Sequence, residues 1–172
     1  MSRPKLSVLP GYKPHRAVVL GIDPATKSGY SIFVQGKLRS SGIVSSARAR
    51  MSVIEEAVRF MSSSSMPLVV VVEDWSPGGW KSWKAIASVF ESWGRWSEQL
   101  DLLGIKKVVR VQVDTWRRDL YGPQKMGRRG LKDLAKARVG SVYKKSVTHD
   151  EAEAILIGEW GCRAAEVSKL LA

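Results

Sequence analysis

Cysteine, histidine and acidic residues are all scarce in this chain of 172 residues. A single cysteine, Cys162, excludes an intrachain disulfide and any cysteine-built zinc site, and only two histidines are present for other metal chemistry. The longest apolar run, Leu68 to Val72, falls far short of the roughly 18 residues that suggest a membrane span. The polar start MSRPKLS has no signal-peptide apolar stretch, so an intracellular, cytoplasmic protein without membrane association is expected. Sixteen Asp and Glu against 28 Lys and Arg leave a formal net charge of +12. An excess of that size seeks a polyanion, and nucleic acid is the first candidate. The 44% of hydrophobic residues and seven tryptophans exclude a disordered basic tail, which would lack the apolar surface needed to offset ordering entropy.

Residues 1–16 carry Pro4, Pro10 and Pro14 among Arg3, Lys5, Lys13 and Arg16, which predicts an extended basic arm outside the fold. Residues 17–172 then form one domain. AVVLGID from Ala17, a PATKSG turn, the alternating YSIFVQ, a GK turn and KLRSSGIVS predict a three-stranded antiparallel meander. Arg50 to Met61 has helical spacing. Leu68 to Val72 reads as a strand buried on both faces, as central parallel strands are. A tryptophan-rich helix from about Gly79 to Asp101, a strand from Lys107, a short TWRRDLY segment, a basic loop over Gly122 to Gly130, and helices from about Leu131 and Thr148 complete the pattern. Strand-helix-strand units cross over to parallel neighbours, so the fold class is α/β: a mixed five-stranded sheet, antiparallel meander plus two parallel strands, flanked by helices.

Two acids fall where open α/β sheets place their sites, at the C-terminal ends of buried strands: Asp23 after VVLGI and Glu73 after four valines. Asp23 alone could be a turn residue before Pro24; Glu73 is headed for burial and needs a cation, a metal or a proton. In THDEAEAILIG, Thr148 as N-cap would make Glu151 the third residue of a capping box, with a structural role. Asp150 and Glu153, within roughly 60° of each other around the helix, share the face that continues as Ala154, Ile157 and Gly161. That small apolar face should pack on the sheet and carry both carboxylates inward. Four converging carboxylates require compensation, which two Mg²⁺ would supply, with Mn²⁺ able to substitute; an oxygen-only ligand set suits these ions better than zinc. Beside a basic surface, such a site suits two-metal phosphodiester hydrolysis.

GIDPATKSGYSIF, VVVVEDW and THDEAEAILIG, in that order and around that strand pattern, resemble the RuvC family of Holliday junction resolvases in the RNase H-like superfamily. The resemblance runs from about Val18 to Trp160. It implies that Asp23, Glu73, Asp150 and Glu153 are the metal-binding catalytic acids of a homodimer that cuts two strands of a four-way DNA junction. The chain departs from the family in a shorter turn after Asp23 with Ala25 where glycine is common, in Glu153 where aspartate is commoner, and in the N-terminal arm. These departures mark a divergent branch.

Between Thr115 and Ser146, ten basic residues face only Asp119 and Asp133. A solvated helix face would mix signs, so phosphate binding is expected, with Arg117, Arg118, Lys125, Arg128, Arg129 and Lys132 as candidates. The resemblance implies that Arg117 and Lys132 stand beside the scissile phosphate; an arginine there neutralises phosphate but is no general base. Trp75 and Trp80 flank the SPGG loop after Glu73, where indoles could stack on unpaired bases. Farther on, Trp83, Ala87, Phe90 and Gly94 make one stripe that Trp93 and Trp96 widen beyond what one core can use. Phe90, Trp93 and Trp96 are therefore expected at a twofold interface, as the resemblance to dimeric resolvases implies.

Overall fold

The computed structural model describes residues 14–74, 83–123 and 125–172. Strands β1 (Val18–Asp23), β2 (Ser28–Val34), β3 (Lys37–Val44), β4 (Leu68–Asp74) and β5 (Val108–Gln112) form one sheet in the order β3-β2-β1-β4-β5. β2 pairs antiparallel with β1 and β3, while β4 runs parallel to β1 and β5. This is the expected mixed sheet. The hairpin joining β2 to β3 turns on Gln35 and Gly36, both at positive φ, the conformation that tight hairpins require.

Alternation along the central strands builds two cores. Val18, Leu20, Ile22, Val70 and Val72 point to one face, where α1 (Ala47–Ser64) and α2 (Trp83–Leu102) supply Ile54, Ala57, Trp96 and Leu100. Val19, Val69 and Val71 point to the other, where they meet α3 (Val113–Tyr121), α4 (Arg128–Tyr143), α5 (His149–Gly161) and α6 (Ala165–Leu171). α5 is the centre of that second layer: every residue from Ala152 to Gly161 is buried. Its close approach to the sheet depends on missing side chains. A Cβ on Gly29 would lie 2.2 Å from the Asp150 carbonyl oxygen, and one on Gly21 only 2.6 Å from the Gly158 nitrogen.

Four expectations are corrected. His15, expected within the 1–16 arm, is tied to the fold: its amide donates to the Cys162 carbonyl (2.8 Å) and its ring lies 2.9 Å from the Ala164 carbonyl oxygen. α4 begins at Arg128, so Arg128 and Arg129 belong to a helical first turn rather than a loop. Arg138, counted with the phosphate-seeking bases, is 2% exposed and pairs with buried Glu159 at 2.8 Å. Trp96 leaves the expected twofold interface: it is fully buried in its own chain and its indole donates to Ser28 Oγ. Ser92, Trp96 and Leu100 form the inner face of α2, whereas Trp83, Ala87, Phe90 and Gly94 form an exposed outer stripe, with Trp93 half-buried at its side.

Candidate active site

The site lies at the C-terminal ends of β1 and β4. Ile22 pairs with Val72 across the parallel ladder, which sets Asp23 and Glu73 on adjacent strands at the same level. α5 enters from the side with its first turn against Gly29, bringing Asp150 and Glu153 to the same point. One carboxylate oxygen from each of Asp23, Asp150 and Glu153 lies within 4.8 Å of the others. Glu73 stands beside this triad and is held by the Trp116 indole, which donates to Glu73 Oε2 at 2.9 Å.

Electrostatics tie the four acids into one unit. Burial pushes the Asp23 carboxyl well above the usual range, and the charges of Glu73, Glu153 and Asp150 push it further. Glu73 rises to about 7, again by burial first and by Glu153 second, against the opposing pull of the Trp116 hydrogen bond and of Arg117 and Lys132. Two bases reach into the cluster. Arg117 pairs with Glu153 and lies 5.0 Å above the Trp116 ring. Lys132 donates to Asp150 Oδ1 at 3.0 Å and lies 3.6 Å from Glu153 Oε2. Burial lowers the Lys132 pKa, but the bond to Asp150 and the nearby carboxylate charges outweigh it, so the ammonium is held more firmly than usual.

These contacts amend the charge argument made from the sequence. Four carboxylates with Arg117 and Lys132 among them leave an excess of two negative charges, which one divalent ion or two protons would balance. The donor set nevertheless fits a hard divalent cation: all oxygen, three atoms close enough to share one ion, and an Asp23 carboxyl whose pKa is raised by burial and by the acids around it.

Arg118, Lys125, Arg128 and Arg129 are exposed, and Trp75 and Trp80 lie outside the described residues. Trp116 is the residue that sequence reasoning passed over. Nothing in TWRRDLY distinguishes it; only the placement of α3 directly after β5 brings its indole under Glu73. Glu151 keeps its structural role by another route. Thr148 accepts from the Glu151 amide at 3.3 Å, but the carboxylate takes Lys145 at 2.6 Å and Ser41 at 2.8 Å, tying α5 to β3.

A five-stranded mixed sheet in the order β3-β2-β1-β4-β5, with helices on both faces, has the topology of the RNase H-like fold. No family model matches the sequence, and no curated protein matches it. Among solved structures the chain is similar to Thermus thermophilus RuvC in complex with Holliday junction substrate, with a TM-score of 0.66 at 17% identity, covering 88% of this chain and 96% of that one. A second T. thermophilus RuvC structure gives a TM-score of 0.58 at 19% identity over 89% and 96% of the two chains. At these identities the likeness establishes a shared fold.

Proposed function

We infer that the chain is a divalent-metal-dependent endonuclease of branched DNA that resolves four-way junctions. The observation that carries this reading is the acid cluster of Asp23, Glu73, Asp150 and Glu153 with Lys132 and Arg117 beside it. A similarly folded RuvC has been captured with Holliday junction substrate. Asp23, Asp150 and Glu153 would hold Mg²⁺ or Mn²⁺, with Glu73 completing a two-ion site. Bound there, the ions supply water activation and neutralisation of the leaving oxygen. The chain's own groups do the rest. Trp116 fixes the Glu73 carboxylate, and Lys132 and Arg117 exchange their carboxylate partners for the phosphate at the cut, which Arg117 can grip with two parallel N–H donors.

Duplex arms would be gripped by Lys125, Arg128 and Arg129. Two arginines in the first turn of α4 oppose the helix dipole, at about 0.3–1 kcal/mol each. Gly127, the N-cap, provides no side-chain cap, so an anion at this end would find both free amides and guanidinium groups. Two symmetric nicks require a homodimer, for which the outer stripe of α2 is the proposed contact. No helix among the described residues is long and apolar enough to cross a membrane.

The test is incubation of purified protein with four-way, forked and linear DNA in Mg²⁺ and then in EDTA. Paired nicks confined to the four-way junction and abolished by EDTA are expected. Equal cutting of forks, flaps or RNA-DNA hybrids would replace the resolvase reading with a broader nuclease. Tight junction binding without cleavage in either Mg²⁺ or Mn²⁺ would replace it with a non-catalytic binding protein.

A further inference from the structure

The turn that follows Asp23 is held from outside the sheet. Asp23 ends β1 and Ser28 opens β2, with Pro24, Ala25, Thr26 and Lys27 between them. Both lone pairs of the Ala25 carbonyl are engaged, by Ser28 Oγ at 2.7 Å and by Ser92 Oγ at 2.8 Å. Ser28 Oγ in turn accepts from the Trp96 indole at 3.1 Å and from the Ala25 amide at 3.3 Å. One residue farther round, Thr26 Oγ1 and Ser88 Oγ are 3.2 Å apart. Ser88, Ser92 and Trp96 are spaced four apart and so form one stripe of α2 facing the turn. Ser28 and Trp96 are wholly buried and Ser92 nearly so, which makes this a polar knot inside an otherwise apolar core.

Stability alone gives little reason for such a knot. Each hydrogen bond adds little net stability, and apolar groups of matching shape would serve nearly as well. What hydrogen bonds supply and apolar contacts do not is direction. Pro24 fixes its own φ and restricts Asp23 to extended backbone, so orienting the Ala25 peptide fixes the chain on both sides of the turn. Pairing of Asp23 with Gly29 holds the two strand ends, and the hydrogen bonds from Ser28 and from Ser92 on the α2 side hold the turn between them.

We propose that Ser28, Ser92 and Trp96 are positioning residues that hold the 24–27 turn against α2 and so keep the Asp23 carboxylate aimed at Asp150 and Glu153. The proposal rests on the reading of those acids as a metal-binding catalytic site. Its prediction is that the knot tunes cation affinity without contacting the cation.

The experiment uses the full chain. MnCl₂ alone is titrated calorimetrically into wild type, Ser28→Ala, Ser92→Ala and the double variant, and junction cleavage is measured in parallel. Each single variant should weaken Mn²⁺ binding on the order of tenfold, the range seen when groups behind metal ligands are removed, with a matching fall in kcat and an unchanged KM for the junction. The double variant should lose less than the two singles combined, since both hydroxyls act on one carbonyl. Trp96→Phe, which keeps the ring and removes the N–H, should repeat the loss, and Ser92→Thr, which keeps the hydroxyl, should restore both properties. Wild-type Mn²⁺ affinity and kcat in both alanine variants would overturn the proposal, as would a loss that follows melting temperature alone. Separately, Asp23→Asn with unaltered Mn²⁺ affinity and cleavage would overturn the reading of the acids and leave the geometry of the knot intact.

Discussion

A carboxylate at the end of a buried strand can shed its charge only to a cation or a proton, and Asp23 and Glu73 are arranged for either. Asp23→Asn or Glu73→Gln should abolish junction cleavage while junction binding stays intact or tightens, because each removes an oxygen ligand and also a charge that repels phosphate. Gel-shift and cleavage assays on the same preparations check this. Glu151→Gln is the matched control and should retain most activity, since its carboxylate faces Ser41 and Lys145 instead of the cluster. Burial, with this crowding second, sets a pH dependence. With its pKa raised from 4.5 to about 7, Glu73 holds a proton in the folded chain that the unfolded chain has lost. Stability contributed by that proton is present below about pH 4.5 and disappears as pH rises through about 7, with a slope of up to about 1.4 kcal/mol per unit. Urea denaturation in EDTA should show this decline, which Mg²⁺ reverses and Glu73→Gln flattens; wild type and variant with parallel profiles would contradict the described crowding. The two strand-end acids were legible in the sequence because a β-branched run fixes where a strand is buried and where it ends. Trp116 was not legible, since its partner is forty-three positions away and only tertiary placement joins them. Glu151 was misjudged in detail because a lysine outcompeted the backbone amide that a full capping box would have engaged.

Among the elements, α4 is where sequence reading went furthest astray. By charge alone the run from Lys125 into α4 reads as one patch, and only the family resemblance sets Lys132 apart; the structure divides it into exposed Lys125, Arg128 and Arg129, the site residue Lys132, and buried Arg138. Charge counting cannot separate these groups, because burial depends on which face of α4 meets α5. Arg138→Met should destabilise the fold by about 3 kcal/mol, since it removes the nearer cation from buried Glu159 and leaves only Arg163, at 3.7 Å, to balance it. Adding Glu159→Leu should recover much of that loss, and urea melts of the single and double variants measure both. If the single variant were as stable as wild type, Arg163 alone would suffice to balance Glu159. Neutralising Lys125, Arg128 and Arg129 together should leave stability nearly unchanged and flatten the dependence of log affinity on log salt by about 0.9 per lost phosphate contact. Filter binding across a salt series reads that slope directly.

At the scale of the whole molecule, the mixed sheet of a meander plus two parallel strands was legible because the meander fixes three strands and each helical crossover must deliver a parallel neighbour. The two faces of α2 were not. Hydrophobicity marked a stripe too wide for one core, but hydroxyls do not advertise an inner face, and Ser92 with Trp96 turned out to occupy it. The outer stripe keeps the property that the proposed dimer requires: Trp83 is 83% and Phe90 52% exposed, while Ala87 and Gly94 leave room for a second helix to approach closely. Phe90 lies beside Pro24, Asp74 and Arg110, so a partner docked there would set two acid clusters at a fixed separation across the twofold axis, as paired incision demands. Phe90→Glu should therefore sediment as a monomer with an unchanged circular dichroism spectrum. It should also lose simultaneous cutting of both junction strands more severely than it loses single nicks. A plasmid-borne cruciform separates the two outcomes, because paired incision linearises the circle and independent nicking relaxes it. Wild-type protein that sediments as a monomer at micromolar concentration, both free and on junction DNA, would remove α2 as a dimer contact and shift the balance toward a nuclease of flaps, forks or hybrids that needs a single cut.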